Sequence, residues 1–158
     1  MAEIQGIQIR VATIDDFDFI AGLLPRLSEF GLPAWRDAAS MLQTDVAVIQ
    51  NKLSNQPEGT KIFIAGVNNE TPLGFLHIQS GSDYYNNEPH AHISDLIVDT
   101  KAAGKGVGLL LLNHAESWAR AQGYRWLTLS VFAQNTRARD LYTRLGYGED
   151  IMKYVKQI

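Results

Sequence analysis

The stretch that decides the fold is Ile93-Ser-Asp-Leu-Ile-Val-Asp-Thr-Lys-Ala-Ala-Gly-Lys-Gly-Val-Gly-Leu-Leu-Leu-Leu112. Its order predicts an apolar strand, a glycine-rich turn and the first turns of an apolar helix. Free backbone N–H groups at such a helix start, backed by the helix dipole, form a ready anion site. The glycines let a phosphate approach the main chain without interference from Cβ atoms. Neither a Walker loop nor a dinucleotide fingerprint fits the spacing, so the turn predicts a phosphate-bearing ligand of another kind.

Composition narrows the class of protein. The 158 residues, 46% of them hydrophobic and 20% charged, fit one globular domain over residues 1–158. A net charge of −3 provides no basic field for nucleic acid. The absence of cysteine excludes disulfides, thiolate metal sites and a Cys nucleophile. No signal peptide and no apolar run of membrane-spanning length is visible, so we expect a cytoplasmic protein. We also expect no metal cofactor.

Hydrophobic periodicity predicts an α/β arrangement around a mixed sheet. Strands are predicted over residues 5–12, 61–67, 73–79, 91–99, 125–132 and 147–158. Helices are predicted from Ile14 to a break near Pro25, from a cap at Thr44-Asp45 to Asn55, from Gly106 to Gln122, and from a cap at Asn135 to Gly146. The connection over residues 30–43 has no clear assignment. Short turns favour antiparallel pairs in the first half, and residues 91–132 have the length of a parallel βαβ unit.

Two motifs point to a family. One is Leu96-Ile-Val98 followed by Ala103-Gly-Lys-Gly106-Val-Gly108, and the other is Asn135-Thr-Arg-Ala138-Arg-Asp-Leu141-Tyr142-Thr-Arg-Leu-Gly146-Tyr147. Together, in this order and with a strand between them, they resemble the GNAT superfamily of acetyl-CoA-dependent N-acetyltransferases over essentially the whole chain. The resemblance implies a single domain with a mixed, mostly antiparallel sheet, flanking helices and splayed central strands.

The resemblance also implies how acetyl-CoA binds as co-substrate. Its pyrophosphate is expected on the loop formed by Ala103, Gly104, Lys105, Gly106, Val107 and Gly108, and its pantetheine arm along Leu96, Ile97 and Val98. The family's loop usually opens with Arg or Gln where this chain has Ala103, so the backbone amides are the expected donors. Asn135 is expected to cap a helix, to contact the CoA arm, or both. Arg137 and Arg139 either reach CoA phosphates or lie on a solvated helix face.

Catalytic roles follow from the resemblance for two side chains. Tyr142 matches the family's tyrosine, which donates to the CoA thiolate; packing in the core is its alternative role. His92 lies where family members often carry a carboxylate base, and a mostly neutral imidazole suits that work. The alternative for His92 is an ordinary strand histidine satisfied by hydrogen bonds. Asp95, His90, Glu88 and an ordered water chain are rival bases.

The expected activity is transfer of an acetyl group from acetyl-CoA to a primary amine of a small molecule or peptide, by direct attack in a ternary complex. The resemblance places aromatic residues along the acceptor cleft, where packing or a dimer interface is their alternative role: Phe30, Trp35, Tyr84 and Tyr85. The alternative function is a non-catalytic acyl-CoA-binding sensor or a protein-interaction module on the same fold. The resemblance allows a homodimer, and we expect no nucleic-acid or membrane partner.

Overall fold

A computed structural model describes residues 6–68 and 70–158, and within them five strands form one sheet. The strands lie side by side in chain order: β1 (Ile7–Val11), β2 (Thr60–Val67), β3 (Thr71–Ser82), β4 (Pro89–Val98) and β5 (Leu127–Leu129). The first four pair antiparallel, and β5 pairs parallel with β4. The mixed, mostly antiparallel sheet expected from the sequence is confirmed.

Helices flank this sheet. The α-helices of the described residues are α1 (Phe17–Leu23), α2 (Ala38–Asn55), α3 (Val107–Ala121) and α4 (Thr136–Arg144). Three short 3-10 helices lie at Ile14–Asp16, Leu24–Ser28 and Thr100–Ala102. Pro25 lies in the first turn of the second 3-10 helix, which confirms the break expected there. Within residues 6–68 and 70–158, the helices lack the length and apolarity needed to cross a membrane.

The sheet separates two apolar layers. We call one side the α3 face; there the buried stripe of α3 packs with the inward residues of β3 and β4: Val107, Leu111, Ala115, Leu76, Ile78, Ala91 and Ile93. We call the other side the α2 face, where residues of α1 and α2 pack with alternate strand positions: Ile20, Leu23, Ile49, Leu53, Ile64, Phe75 and Ile97. Because strand side chains alternate between the faces, each strand residue can be assigned to one layer.

The start of α2 differs from the prediction. Asp37 caps the helix, and its Oδ2 accepts hydrogen bonds from the N–H of Ser40 at 2.8 Å and from its hydroxyl at 2.7 Å. Thr44 lies inside the helix and donates to the carbonyl of Ser40. The predicted cap at Thr44-Asp45 is therefore wrong. Asp and Thr both favour caps through local hydrogen bonds, and the bonds from Ser40 to Asp37 start the helix seven residues earlier than predicted.

Two predicted strands also differ. β5 covers only residues 127–129 of the expected 125–132, and residues 147–158 form no strand. Apolar side chains in that last segment are exposed, among them Ile151 and Tyr154. A strand is defined by hydrogen bonds to a neighbouring strand, so an alternating sequence is not sufficient to form one.

Candidate active site

β4 and β5 diverge in the middle of β4. The two strands pair only where residues 91–93 lie beside Leu127–Leu129, whereas β4 continues along β3 as far as Val98. The pairing register between β3 and β4 shifts at the same level: His77 pairs with Asp95, whereas the next residue, Ile78, pairs with Ile93. The splayed central strands are therefore confirmed, and the second half of β4 has one free edge.

The free edge consists of the peptide groups of Leu96 and Val98. The N–H of Asp99 donates to the carbonyl of Leu73 in β3 at 2.7 Å. Because successive peptide units of a strand point to opposite sides, those of Ile97 also face β3, while those of Leu96 and Val98 face the gap. Arg26 donates from Nη1 to the Val98 carbonyl across that gap. An extended ligand arm on this edge would meet the N–H groups of both residues and the Leu96 carbonyl.

The loop after β4 brings the N-terminus of α3 to this free edge. Asp99 Oδ1 accepts from the N–H of Lys101 at 2.9 Å and turns the chain. Gly104 and Gly106 have φ angles of +74° and +83°, which glycine adopts without steric cost. A Cβ added to Gly108 would lie 3.6 Å from Val98 Cγ2, so the first turn of α3 packs directly on the end of β4.

The start of α3 is open to an anion. Its N-cap is Gly106, and no side chain of the described residues caps it. The first N–H groups of a helix lack intrahelical partners and lie at the positive end of the helix dipole. The side chain of Lys105 folds back to donate to the carbonyl of Lys101 at 2.8 Å. The donors are thus main-chain amides, and the small Ala103 leaves them uncovered, so the residues present fit a diphosphate.

His92 lies in the short stretch where β4 and β5 are still paired, just before they diverge. Its strand neighbours Ala91 and Ile93 are buried on the α3 face, so the imidazole lies on the α2 face. Its Nδ1 is 2.8 Å from Thr128 Oγ1, and that hydroxyl donates in turn to the Ala91 carbonyl at 3.4 Å. The hydroxyl lone pair therefore accepts from Nδ1–H, which makes Nε2 the basic nitrogen. Burial, followed by the nearby His90 and His77, lowers the pKa of His92.

Tyr142 lies on the opposite side of β4. It packs from α4 against the apolar cluster of the α3 face, to which Leu96 and Val98 also belong. Its ring centroid is 5.7 Å from that of Tyr147. Burial raises the pKa of Tyr142, so the phenol keeps its proton at neutral pH. Tyr142 and His92 therefore approach β4 from its two faces.

The structure also places other candidate residues named from the sequence. Asn135 caps α4, because its Oδ1 accepts from the N–H of Ala138 at 3.2 Å, and this leaves its NH₂ group as a donor. Arg139 pairs with Glu149 at 3.0 Å. Glu88 accepts from Arg125 at 3.3 Å, at the end of β4 remote from the free edge. Tyr84 and Tyr85 are 89% and 83% exposed in the β3–β4 turn, at that same remote end.

Sequence analysis named Phe30 and Trp35 as cleft candidates but missed the contacts that the segment between α1 and α2 makes around the divergence of β4 and β5. Arg26 reaches Val98 of β4, while Phe30 packs on Phe132 with ring centroids 5.6 Å apart. The guanidinium of Arg36 lies 5.2 Å from the centroid of the same Phe132 ring. The chain between α1 and α2 thus contacts both sides of the splay. Arg26 and Val98 are 72 residues apart in sequence, so no local pattern signals their contact.

A buried polar pair on the α2 face was also missed. His77 is 2% exposed within an apolar strand, and its Nδ1 lies 3.0 Å from Asp95 Oδ2. The other ring nitrogen, Nε2, is buried without a hydrogen-bond partner among the described residues. A histidine at an inward position of an otherwise apolar strand was the available signal. Among those residues no group of three or more His, Cys, Asp or Glu is arranged to hold a metal ion.

Comparison with known proteins gives a consistent result. The profile of the Acetyltransferase (GNAT) family matches residues 24–147. The chain is 33% identical over 142 residues to an uncharacterized N-acetyltransferase of Bacillus subtilis (strain 168), covering 90% of each protein. A Pyrococcus furiosus structure whose proposed class is acetyl transferase superimposes with a TM-score of 0.77 at 25% identity, over 96% of this chain and 99% of that one. A GCN5-related N-acetyltransferase from Ralstonia eutropha JMP134 shares the fold, with a TM-score of 0.75 at 20% identity over 97% and 99% of the two chains. This chain therefore belongs to the acetyltransferase (GNAT) family and is an acyltransferase.

Proposed function

We propose that this acyltransferase moves an acetyl group from acetyl-CoA to a primary amine of a small molecule or peptide, in a ternary complex. The observation that supports the proposal is the free edge of β4 beside the uncapped N-terminus of α3. An extended amide-bearing arm can pair with Leu96 and Val98 while its diphosphate meets the amides of Gly104 and of residues 106–108; the amide of Lys105 donates to the Ala102 carbonyl at 3.3 Å. Acetyl-CoA, when bound, supplies the acyl group as a thioester.

In this proposal His92 accepts the proton of the attacking amine. Thr128 orients the ring so that Nε2 has the free lone pair, and the lowered pKa keeps this nitrogen unprotonated at neutral pH. The amine nitrogen forms its bond to the acetyl carbon as the carbon–sulfur bond breaks, and one amine proton passes to Nε2. Main-chain N–H groups of the free edge can donate to the acyl oxygen while negative charge develops on it.

Tyr142 is the proposed donor to the departing sulfur. A phenol whose pKa is raised by burial is a weaker acid than a thiol, so it stabilises the thiolate chiefly by donating a hydrogen bond. Its approach from the α3 face leaves the α2 face to the amine. The chain has no cysteine, so direct transfer is proposed rather than a thioester intermediate on the protein.

A screen of primary amines with acetyl-CoA, read as release of free CoA thiol, tests the proposal. We expect turnover with at least one amine, and acetyl-CoA binding in a separate calorimetric titration. Binding without turnover across the panel would instead support the alternative, a non-catalytic acyl-CoA sensor. Absence of binding at millimolar acetyl-CoA would reject both. Two further statements remain predictions: that residues 1–158 form a single N-acetyltransferase domain, and that the protein is a homodimer. Size-exclusion chromatography with light scattering measures the oligomeric state directly.

A further inference from the structure

Arg26 places a guanidinium in the gap between the diverging strands. It belongs to the 3-10 helix Leu24–Ser28, and its Nη1 donates to the carbonyl of Val98, the last residue of β4. Its Nε donates to the exposed Glu29 at 3.3 Å. Within residues 6–68 and 70–158 these bonds leave Nη2 as a free donor. An arginine has five N–H donors in a planar fork, so it can hold a carbonyl and still bind another group.

The contact with Val98 determines where an extended ligand arm must leave β4. The N–H and the carbonyl of Leu96 and the N–H of Val98 are open to such an arm, because they face the gap. The Val98 carbonyl already accepts from Arg26. An arm that pairs with the strand therefore finds its last partner at the N–H of Val98. The chemical group that follows on the arm then lies next to the guanidinium.

The N-terminus of α3 contacts the same residue of β4. A Cβ added to Gly108 would lie 3.6 Å from Cγ2 of Val98 and 4.0 Å from Cδ2 of Leu96. The first turn of α3 thus packs on the side chain of Val98, while Arg26 binds its carbonyl. Because both contact one residue, a group with several anionic oxygens can accept from the guanidinium and from the uncapped helix start together.

The charged neighbours of Arg26 leave it available to an anion. The Glu29 side chain is 56% exposed, so solvent screens its pairing with Arg26, whose own side chain is only 27% exposed. The carboxylate of Asp99 is engaged by the turn after β4: the hydrogen bond from the Lys101 amide lowers its pKa most, and the charge of Arg26 lowers it further. A cation that is partly covered by protein attracts an anion more strongly than one in open solvent.

On the basis of the function proposed above, we propose that Arg26 binds the diphosphate of acetyl-CoA together with the amides at the start of α3. The Val98 carbonyl holds the guanidinium in place, while Nη2 and the second N–H of Nη1 donate to phosphate oxygens. Arg26 is thus a cofactor-binding residue supplied by the segment between α1 and α2. It recognises the half of the cofactor that the free edge of β4 does not contact.

The test compares CoA with pantetheine, which has the same arm but lacks the diphosphate and the nucleotide. Calorimetry gives the Kd of CoA directly and that of pantetheine by competition with CoA. Arg26→Gln should raise the Kd of CoA by about 10- to 100-fold and that of pantetheine by less than about threefold, since only CoA loses hydrogen bonds between charged groups. Arg26→Lys keeps the charge without the planar fork and should recover part of the affinity for CoA.

Arg120→Gln is the matched control. Arg120 lies in the last turn of α3, where its side chain is 72% exposed and pairs with Glu116 at 3.1 Å. The substitution removes the same charge at the end of α3 opposite the proposed site, so the Kd of CoA should be unchanged. Thermal melting without ligand checks the folding of Arg26→Gln. If that variant melts below the assay temperature, the two Kd values are compared in Arg26→Lys, which should lose affinity for CoA alone.

The outcomes separate the inference from the function on which it rests. Equal losses of affinity for CoA and pantetheine would show that Arg26 supports the edge of β4 and not the diphosphate. A Kd of CoA within about threefold of the wild type would remove Arg26 from the site. Either result overturns the inference and leaves the proposed acetyl transfer standing. Absence of CoA binding by the wild-type chain at millimolar concentration would instead reject the proposed function, and the role of Arg26 with it.

Discussion

At the scale of single residues, burial acts in opposite directions on the two proposed catalytic groups. It lowers the pKa of His92 and raises that of Tyr142, because a low-dielectric environment disfavours the imidazolium and the phenolate alike. Both side chains are consequently neutral near pH 7. A base that is free of its proton and a donor that has kept its own are the states that amine acylation requires.

We predict that substitution of His92 removes one limb of the pH profile. The wild-type kcat/KM should fall as the pH drops through the pKa of His92, below the ordinary value near ~6.5, because the protonated ring cannot accept the amine proton. His92→Gln should lose this limb and reduce kcat/KM by about 10²- to 10⁴-fold. His90→Gln, a change at a rival base on the same strand, is the control and should retain the limb. An acid limb that survives in His92→Gln would assign the base elsewhere.

We predict that Tyr142→Phe lowers kcat by about 10²-fold or more, because the departing thiolate loses its donor. The measurement is steady-state release of CoA at saturating amine. Tyr147→Phe provides the comparison. The ring centroids of Tyr142 and Tyr147 are 5.7 Å apart, and the Tyr147 hydroxyl donates to Glu116 at 3.4 Å. The kcat of Tyr147→Phe should stay within a few fold of the wild type. Similar losses in both variants would indicate that Tyr142 acts through packing.

At the scale of elements, the junction of β4 and α3 combines two independent local devices. Asp99 fixes the turn after the strand by accepting from Lys101, and a glycine with φ of +83° starts the helix without a capping side chain. Each device has a recognisable sequence signature, so the junction was predictable. Packing of Gly108 against Val98 then joins the two elements closely enough for one ligand to contact both.

We predict opposite stability effects for two neighbouring glycine substitutions. Gly106→Ala places a Cβ at φ of +83°, which should lower the free energy of unfolding by about 1–2 kcal/mol. Gly108→Ala lies in the helix with ordinary contact distance to Val98, so higher helix propensity should raise it by roughly 0.5–1 kcal/mol. Urea denaturation measures both values. Equal effects would show that the positive φ at residue 106 is not required.

At the scale of the whole molecule, the site depends on the divergence of β4 and β5 and on the chain that bridges them. Contacts from Arg26 to Val98 and from Phe30 to Phe132 join the segment between α1 and α2 to β4 and to the chain that follows β5. The free edge of β4 and His92, the proposed base, both lie where β4 and β5 diverge. Ligand binding there should stabilise the native fold as a unit, because the unfolded chain has no such opening.

We predict that acetyl-CoA raises the Tm of the chain. At a hundred times the Kd, a ligand specific for the native state contributes about 2.7 kcal/mol, or roughly 5–10 °C for a protein of this size. Differential scanning fluorimetry over a range of acetyl-CoA concentrations gives the shift. Pantetheine, which lacks the diphosphate, should raise the Tm less, and so should acetyl-CoA with Gly106→Ala. An equal shift from pantetheine would remove the role assigned to the N-terminus of α3.

Much of the fold was predictable because its signals are local. The strands β2 to β4, the cap of α4 by Asn135 and the end of α3 before Gly123 all follow from periodicity or from hydrogen bonds between residues a few positions apart. The cap of α2 at Asp37 and the unpaired segment 147–158 were not predictable in this way. Several residues near the start of α2 could have served as its cap, and an alternating segment forms a strand only where the sheet offers it a partner.

The amino-acid sequence by itself determined the glycine turn and the helix that follows it, since these depend on residue type and short spacing, and its resemblance to the GNAT family supplied the candidate roles of Tyr142 and His92. Only the tertiary structure decided that His92 and Tyr142 lie on opposite faces of β4 and that Arg26 spans the splay. The physical reason is that such contacts join residues far apart in the chain, and their positions are set by the alternation of the strands and by the packing of α2 on the sheet.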